Sequence, residues 1–465
     1  MLGAVGDGST AGPPEACIGA VSARCGCPAS MTGPQSGGML ALGVSRQDRP
    51  ERGPGFRRLR SWRPGGYLRA SGRLLGWMML RAAGQAVLVI SLARLLGADS
   101  FGRFATALAI TAFFVPLAGL GLSGVMLRDL ARAPQRLPED LSQALRLWWR
   151  GAVVFGFLGL VTALAVLHGQ FSVSVLLVFV PAEIASGSLV ELLARVEQSQ
   201  HRTGRYGAIV ASLVLVRLAF LGVFAALDER TVVAWMLAYA SAGIAYAIVL
   251  FIRALRIYHP GGRQALRYGL VRDGLAIAWG GFSLRVQAEF NKPVLAQLGF
   301  ALAGRFSVSQ RAMDVASLPL AAMQDVLWPR LYASTSHSRR MLVSAVAMVC
   351  LAVAGGVALF MMAPLLPHLL GRGFSSTANV LRWLAWLPAL QVVRNVGTFH
   401  IMATHRVPVL VWSYAAGTVT SVTATAILAL KYGLAGAALA AYLTECATIV
   451  TQLALLSGPL RGRVS

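Results

Sequence analysis

Twelve apolar segments of membrane-spanning length follow one another between residues 74 and 457. A bilayer core about 30 Å thick requires about 20 residues of helix, and a helix satisfies its own backbone groups in lipid. Charged residues make up only 13% of the chain, whereas a soluble domain carries roughly 25%. The sequence therefore predicts an all-α polytopic membrane protein with about twelve transmembrane helices. The predicted spans are 74–96, 104–126, 147–167, 173–195, 206–227, 232–252, 271–299, 304–329, 341–363, 377–402, 408–430 and 433–457.

The distribution of lysine and arginine predicts the orientation of these spans. Alternate connectors carry 19 such residues on one side and 6 on the other, and the basic side should be cytoplasmic. The net charge of +24 then indicates contact with anionic membrane lipids, with no nucleic-acid partner. We expect a multi-pass protein of the bacterial inner membrane with both termini in the cytoplasm. The basic connectors are 127–150, 195–206, 253–272, 330–340, 403–407 and 458–465.

The first 66 residues differ in composition from the rest of the chain. They hold 14 of the 49 glycines and 7 of the 20 prolines, and they include no long apolar segment. Because such a composition cannot build a core, we expect a disordered cytoplasmic tail or a start codon assigned too early. The predicted domains are this basic tail (1–66), an N-terminal six-helix lobe (67–252), a basic cytoplasmic linker (253–270), a C-terminal six-helix lobe (271–457) and a cytoplasmic tail (458–465).

Two short motifs repeat at an offset of 202 residues. Residues 96–97 (LG) and 102–104 (GRF) reappear as residues 298–299 and 304–306. The offset aligns the first two spans with the seventh and eighth, and an even number of spans keeps both halves in one orientation. We therefore expect two pseudo-symmetric six-helix lobes around a central cavity.

Ionisable side chains inside the predicted spans are costly in lipid, so they usually face a cavity or a partner. Arg285, Glu289 and Lys292 are spaced by four and three residues, which places them on one helix face. Arginine suits phosphate because its planar fork donates two hydrogen bonds and stays charged in a low dielectric. The candidate cavity residues are Arg81, Gln85, Glu183, Arg285, Glu289, Arg311 and Asp314. We expect Arg217, Arg382, Arg394 and Glu445 to form structural ion pairs or to reach the membrane interface.

The sequence contains no pattern that indicates a catalytic, cofactor or metal site. Phosphate-binding glycine loops, zinc-protease helices and nucleophile elbows have defined spacings, and none of these spacings occurs. The five cysteines and seven histidines are scattered. We therefore expect a protein that is not an enzyme, with no cofactor and no metal.

Several motifs resemble those of one transporter family. Residues 92–97 (LARLLG) and 101–104 (FGRF) resemble the first helical hairpin of the polysaccharide transporters, an O-antigen flippase-like branch of the multidrug/oligosaccharidyl-lipid/polysaccharide (MOP) exporter superfamily. Residues 119–128 resemble the continuation of that hairpin. Residues 304–329 and 363–387 resemble the corresponding motifs of the second lobe. Arg103 and Arg305 depart from the family pattern, in which less polar residues are common.

The resemblance implies a flippase that moves an undecaprenyl-diphosphate-linked oligosaccharide from the cytoplasmic to the periplasmic leaflet by alternating access. It also implies pathway partners, namely a polysaccharide polymerase and glycosyltransferases. The diphosphate would bind to Arg81, Gln85, Arg285 and Arg311, and coupling charges or counter-charges would come from Glu183, Glu289 and Asp314.

Three other functions stay open at this point. A cation-coupled multidrug exporter of the same superfamily would favour acidic and aromatic cavity residues over arginines. A membrane-embedded glycan polymerase or ligase would need a large periplasmic loop, whereas the longest outer connector here is 364–376. A membrane scaffold without transport activity is the third.

The orientation is testable with reporter fusions. Because of the charge asymmetry between connectors, we expect fusions at 127–150, 195–206 and 253–272 to report the cytoplasm, and fusions at 228–231 and 364–376 to report the periplasm. Two successive connectors that report the same side would contradict twelve spans.

Overall fold

A computed structural model describes residues 66–261, 268–320, 323–324, 337–403 and 406–457, all within one compact unit, Arg63–Ser465. These residues form fourteen α-helices, with further helical residues at 318–320 and 323–324, and no strand, as the sequence predicts. The predicted tails 1–65 and 458–465 lie outside the described residues, as do linker residues 262–267. The helices are α1 (Gly66–Ala118), α2 (Leu122–Arg132), α3 (Leu137–Val166), α4 (Val173–Ser199), α5 (Thr203–Ala226), α6 (Val232–Tyr258), α7 (Tyr268–Glu289), α8 (Asn291–Leu298), α9 (Phe300–Ala316), α10 (His337–Met362), α11 (Leu365–Leu370), α12 (Thr377–Leu384), α13 (Leu387–Ala403) and α14 (Val407–Ser457).

Seven of the helices in the described ranges are long and apolar enough to cross a membrane. Two of these, α1 and α14, contain 53 and 51 residues and would each be about 75–80 Å long if straight. Both are interrupted by a glycine with positive φ, at Gly97 (φ 74°) and Gly433 (φ 59°). Each of the two therefore supplies two spans, and the seven helices account for nine.

The remaining three spans are short or interrupted. The seventh span is divided into α7 and α8 at Phe290, the eighth is α9, and the tenth is divided into α12 and α13. Discontinuous helices are tolerated in membranes where they line a cavity. Together with the nine apolar spans, they complete the predicted twelve.

The predicted second span, 104–126, is wrong at its end. Its helix stops at Ala118, and α2 starts only at Leu122. Leu120 and Gly121 both adopt left-handed backbone angles, with φ of 47° and 62°, which breaks a right-handed helix. The residues after the break form a separate short helix that packs against α4 and α7.

The backbone conformation repeats at the offset found in the sequence. Gly97 and Gly299 both have positive φ, and so do Gly169 and Gly371, which are also 202 residues apart. Each pair lies at equivalent positions of the two lobes, at the end that the connector charges predict to be periplasmic and that we call the outer end. The two predicted lobes are therefore repeats in structure, over more positions than the sequence motifs indicate.

The two lobes contact each other through equivalent glycines at their outer ends. A Cβ atom on Gly102 would overlap the carbonyl oxygen of Phe300, and one on Gly304 would overlap that of Ala98. Phe300 follows Ala98 by the same 202 residues, so the contact is reciprocal about a pseudo-twofold axis. Only glycine allows the two backbones to approach this closely.

Further contacts join the lobes at both ends. At the outer end, Arg94 Nε donates to the carbonyl oxygen of Leu369, and Gln297 Nε2 donates to that of Val166 at 3.4 Å. At the inner end, Arg128 of α2 forms an ion pair with Asp273 of α7, with an N–O distance of 2.8 Å. A cavity between these ends is therefore enclosed by both lobes.

The close approach of the two backbones at Gly102 and Gly304 can be tested by adding one methyl group. We expect Gly102→Ala to separate α1 from α9 and to lower the thermal unfolding temperature of the purified protein, because overpacking costs about 1–3 kcal/mol. Gly222→Ala is the matched control, since no atom lies within 4 Å of its added Cβ. An equal unfolding temperature for both variants would contradict the close crossing.

Candidate substrate cavity between the lobes

A cavity of about 350 Å³ lies between α1, α2 and α4 of the first lobe and α7 of the second. Pro116 and Gly281 lie at the contact between α1 and α7, where a Cβ on Gly281 would come within 2.9 Å of Pro116 Cβ. Arg285 follows Gly281 by four residues, so both lie on the face of α7 that is directed to the first lobe. Arg285 lines the cavity and is exposed to it.

The structure brings the three predicted arginines together. Arg81, on the first half of α1, lies close enough to Arg285 and Arg311 for their positive charges to repel its own. Neither Arg81 nor Arg285 has an ion-pair partner within the described ranges. Gln85 is half-buried one turn along α1, and its role stays a prediction. Of the three arginines, only Arg285 is among the residues that line the cavity, together with the carboxylate of Glu191, and Arg81 lies within electrostatic range of Arg285.

Arg311 belongs to a network inside the second lobe. Its guanidinium lies 3.6 Å from a Glu289 carboxylate oxygen and 3.7 Å from one of Asp314. Glu289 also accepts a hydrogen bond from Lys292, and these two side chains are only 5% and 1% exposed. In this network two cations balance two carboxylates. The predicted counter-charges Glu289 and Asp314 thus lie beside Arg311 and within electrostatic reach of Arg285, whereas Arg81 and Arg285 form no direct ion pair in the described ranges.

Glu183 lies in the first lobe and pairs with an arginine that the sequence assigned a structural role. Both of its carboxylate oxygens accept from Arg217 Nη2 at 2.7 Å. The Arg217 guanidinium also lies 3.8 Å from the centroid of the Tyr239 ring, a favourable cation–π distance. The structure does not bring Glu183 into contact with a cavity arginine, and its predicted coupling role stays a prediction.

Two groups near the arginines were missed or undervalued in the sequence. Glu191 lines the same cavity and accepts a hydrogen bond from Ser123 at 3.4 Å. A second cavity, of about 220 Å³, lies within the second lobe and shares Leu284 and Ala288 with the first. Four of its fifteen lining residues, Gln287, Asn291, Gln310 and Gln391, are neutral amides, which carry no charge to mark them in an apolar sequence.

Comparison with known proteins identifies the fold. No family model matches the chain, and no curated protein matches its sequence. An inward-facing multidrug resistance transporter of the MATE family of the MOP superfamily matches with a TM-score of 0.65 at 13% identity, over 82% of this chain and 96% of that one. The outward-facing structure of such a transporter matches at 0.57 and 13% identity, over 83% and 94%.

A third similar structure is a MOP superfamily transporter from Pyrococcus furiosus, with a TM-score of 0.58 and 13% identity over 83% of this chain and 93% of that one. It is described as having a binding pocket of reverse polarity, which suggests a different function. This chain has the MOP transporter fold. The predictions of a multi-pass membrane protein and of that superfamily's two-lobed fold are confirmed.

The contribution of the Glu183–Arg217 ion pair to stability can be tested with a single and a double variant. Glu183→Gln leaves Arg217 buried without its counter-charge, and we expect a loss of about 3–5 kcal/mol in the free energy of unfolding. Glu183→Gln combined with Arg217→Met removes both charges and should recover most of that loss. If the double variant folds normally but no longer transports, Glu183 has a role in coupling beyond the ion pair.

Proposed function

We propose that the chain is a flippase that moves an undecaprenyl-diphosphate-linked oligosaccharide from the cytoplasmic to the periplasmic leaflet. The observation that carries this proposal is Arg285, which lines the cavity between the lobes and forms no ion pair in the described ranges, with Arg81 close enough to add its positive charge. Unpaired charge is expensive in a low-dielectric site, so the cavity favours an anionic ligand. A diphosphate supplies negative charge and the acceptor geometry that two arginine forks match.

The transport mechanism that we propose depends on how the three arginines are divided between the two lobes. Arg81 belongs to the first lobe, whereas Arg285 and Arg311 belong to the second. Headgroup binding would supply counter-charge to Arg81 and Arg285 while the lipid tail stays in the membrane. Tilting of the lobes would then expose the headgroup on the other side. Glu289 and Asp314 would compete for Arg311 as the cargo leaves, and either carboxylate could carry a coupling cation.

The orientation and the partners belong to the same proposal. The arginine-rich connectors favour an inner-membrane protein with cytoplasmic termini. A lipid-linked glycan must be assembled before transport and extended after it. Glycosyltransferases on the cytoplasmic side and a polysaccharide polymerase on the periplasmic side are therefore the partners that this function requires.

A cation-coupled multidrug exporter is the second candidate, because the similar structures include multidrug transporters. The Pyrococcus furiosus relative supports the view that pocket polarity distinguishes functions on this fold. Cationic drugs would be repelled by Arg81 and Arg285, whereas a diphosphate would be attracted. A glycan polymerase or ligase fits less well because the outer connectors are short, so we propose a transporter and not an enzyme.

The proposal is testable by complementation of a flippase-deficient strain, with immunoblots to measure abundance. We expect Arg285→Ala and Arg81→Ala to reduce transport at least tenfold at normal abundance, because each removes a charge-assisted contact. Arg285→Lys should be partly active, since it keeps the charge but loses the fork.

Arg230→Ala is the control for that experiment. Arg230 pairs with Asp228 on an outer connector and its side chain is 72% exposed, so its loss should leave transport unchanged. Normal transport by both cavity alanine variants would show that Arg81 and Arg285 do not bind the cargo.

A further inference from the structure

The second cavity, of about 220 Å³, lies behind α7 and is lined by α7, α8, α9, α12, α13 and α14. Because Leu284 and Ala288 line both cavities, the second cavity is a direct neighbour of the interlobe cavity. Arg285 lies between these two residues in α7. A ligand held at Arg285 can therefore place its next chemical group in or beside the second cavity.

Two buried glutamines leave their oxygens free at this cavity. Gln310 Nε2 donates to the carbonyl oxygen of Ala288 at 2.8 Å, and Gln287 Nε2 donates to that of Tyr414 at 3.1 Å. A carbonyl can only accept, so the amide nitrogens must face these partners and the amide oxygens must face away. Both oxygens are buried without a partner in the described part of the chain, and both residues are 8% exposed.

A carboxylate adds a third acceptor. Glu445 accepts from Arg394 Nη1 at 3.0 Å with one oxygen, and the side chain of Gln391 also interacts with this carboxylate, but the second oxygen has no well-aligned hydrogen-bond donor in the described ranges. Glu445 is 6% exposed. Asp314 also lines the cavity, with its side chain 45% exposed. Arg394 Nε is the unpaired donor among these groups, so acceptors outnumber donors.

The balance of acceptors determines which ligand fits. A buried acceptor without a partner costs about 1–3 kcal/mol, and a ligand that donates hydrogen bonds removes that cost. Phosphate offers only acceptors and would be repelled by Glu445 and Asp314. Sugar hydroxyls donate readily, and the cavity, with room for about seven waters at ~30 Å³ each, is of the size of one monosaccharide ring.

We propose that this cavity is a saccharide subsite, in which Gln287, Gln310 and Glu445 accept hydrogen bonds from hydroxyls of the sugar joined directly to the diphosphate. The inference rests on the proposed function and deepens it, since the diphosphate would lie at Arg285. The order of chemical groups along the cargo, from diphosphate to first sugar, matches the order of the two cavities. A small cation coordinated by the same oxygens is the alternative that the test must separate.

The test compares two probes on purified protein in lipid nanodiscs, undecaprenyl diphosphate and undecaprenyl-diphosphate-N-acetylglucosamine. We expect wild type to bind the glycosylated probe more tightly. Gln310→Met and Gln287→Met should lower affinity for that probe about three- to tenfold, as expected for one hydrogen bond, and should leave the affinity for bare undecaprenyl diphosphate unchanged.

Two further variants make the comparison specific. Gln452→Met is the matched control, because Gln452 is a buried amide of the same lobe that donates to Thr398 at 3.0 Å and does not line the cavity. Its affinities for both probes should equal those of wild type. Arg285→Ala should weaken both probes equally, since both carry the diphosphate.

The outcomes separate the two proposals. If wild type binds the two probes equally, or if the glutamine variants weaken both alike, the saccharide subsite is wrong. If instead the variants abolish a sodium-dependent stabilisation measured without any probe, the cavity is a cation site and the inference is overturned. If Arg285→Ala leaves both affinities unchanged while the glutamine variants still discriminate, the diphosphate site fails and the saccharide subsite stands.

Discussion

Positive charge without an ion-pair partner in the described ranges, held between two lobes, is the constraint on which the rest of this structure depends. Buried cations are usually paired, and Lys292 and Arg311 obey that rule through Glu289 and Asp314. Among the described residues, Arg81 and Arg285 form no ion pair, although Arg285 lies within electrostatic reach of Glu289 and Asp314. Arg285 is exposed to the cavity, where water or an anion can reach it. The cavity must therefore remain open to water or hold an anion.

The pseudo-twofold axis explains how such a cavity can be closed at one end. Gly102 and Gly304 are equivalent positions in the two repeats, and their backbones meet at the outer end. The contacts of Arg94 and Gln297 at this end also run from each lobe to the other. Because both repeats contribute equivalent surfaces, a tilt about the shared axis would separate these contacts together.

The sequence predicted the fold well because the bilayer imposes a simple rule on composition. Spans of about 20 apolar residues and basic inner connectors are visible without any tertiary information. The end of the second span was wrong because Leu120 adopts left-handed angles that only packing explains. The seventh and eighth spans, 271–299 and 304–329, are the most polar of the twelve. Several of the polar residues that interrupt their apolar pattern line the cavities.

The site was only partly predictable. Helical spacing placed Arg285, Glu289 and Lys292 on one face, but α7 ends at Glu289 and Lys292 belongs to α8. Lys292 forms an ion pair with Glu289 across that break. The partner of Glu183 could not be predicted, because Arg217 lies 34 residues away on another helix. The free oxygens of Gln287 and Gln310 depend on which backbone carbonyls their nitrogens meet, and no pattern in one dimension contains that information.

The two cavities differ in how they would respond when the lobes move. The arginines are divided between the lobes, so separation of the lobes moves Arg81 away from Arg285 and Arg311 and weakens their joint hold on a phosphate. Gln287, Gln310 and Glu445 all belong to the second lobe and keep their relative positions during a rigid-body tilt. On the proposed function, separation of the lobes would release the diphosphate. The sugar would leave its subsite once the diphosphate joined to it is no longer held. Affinity and selectivity would then reside in different parts of the molecule, so that one fold could carry different glycans by changing only the acceptors of the second cavity.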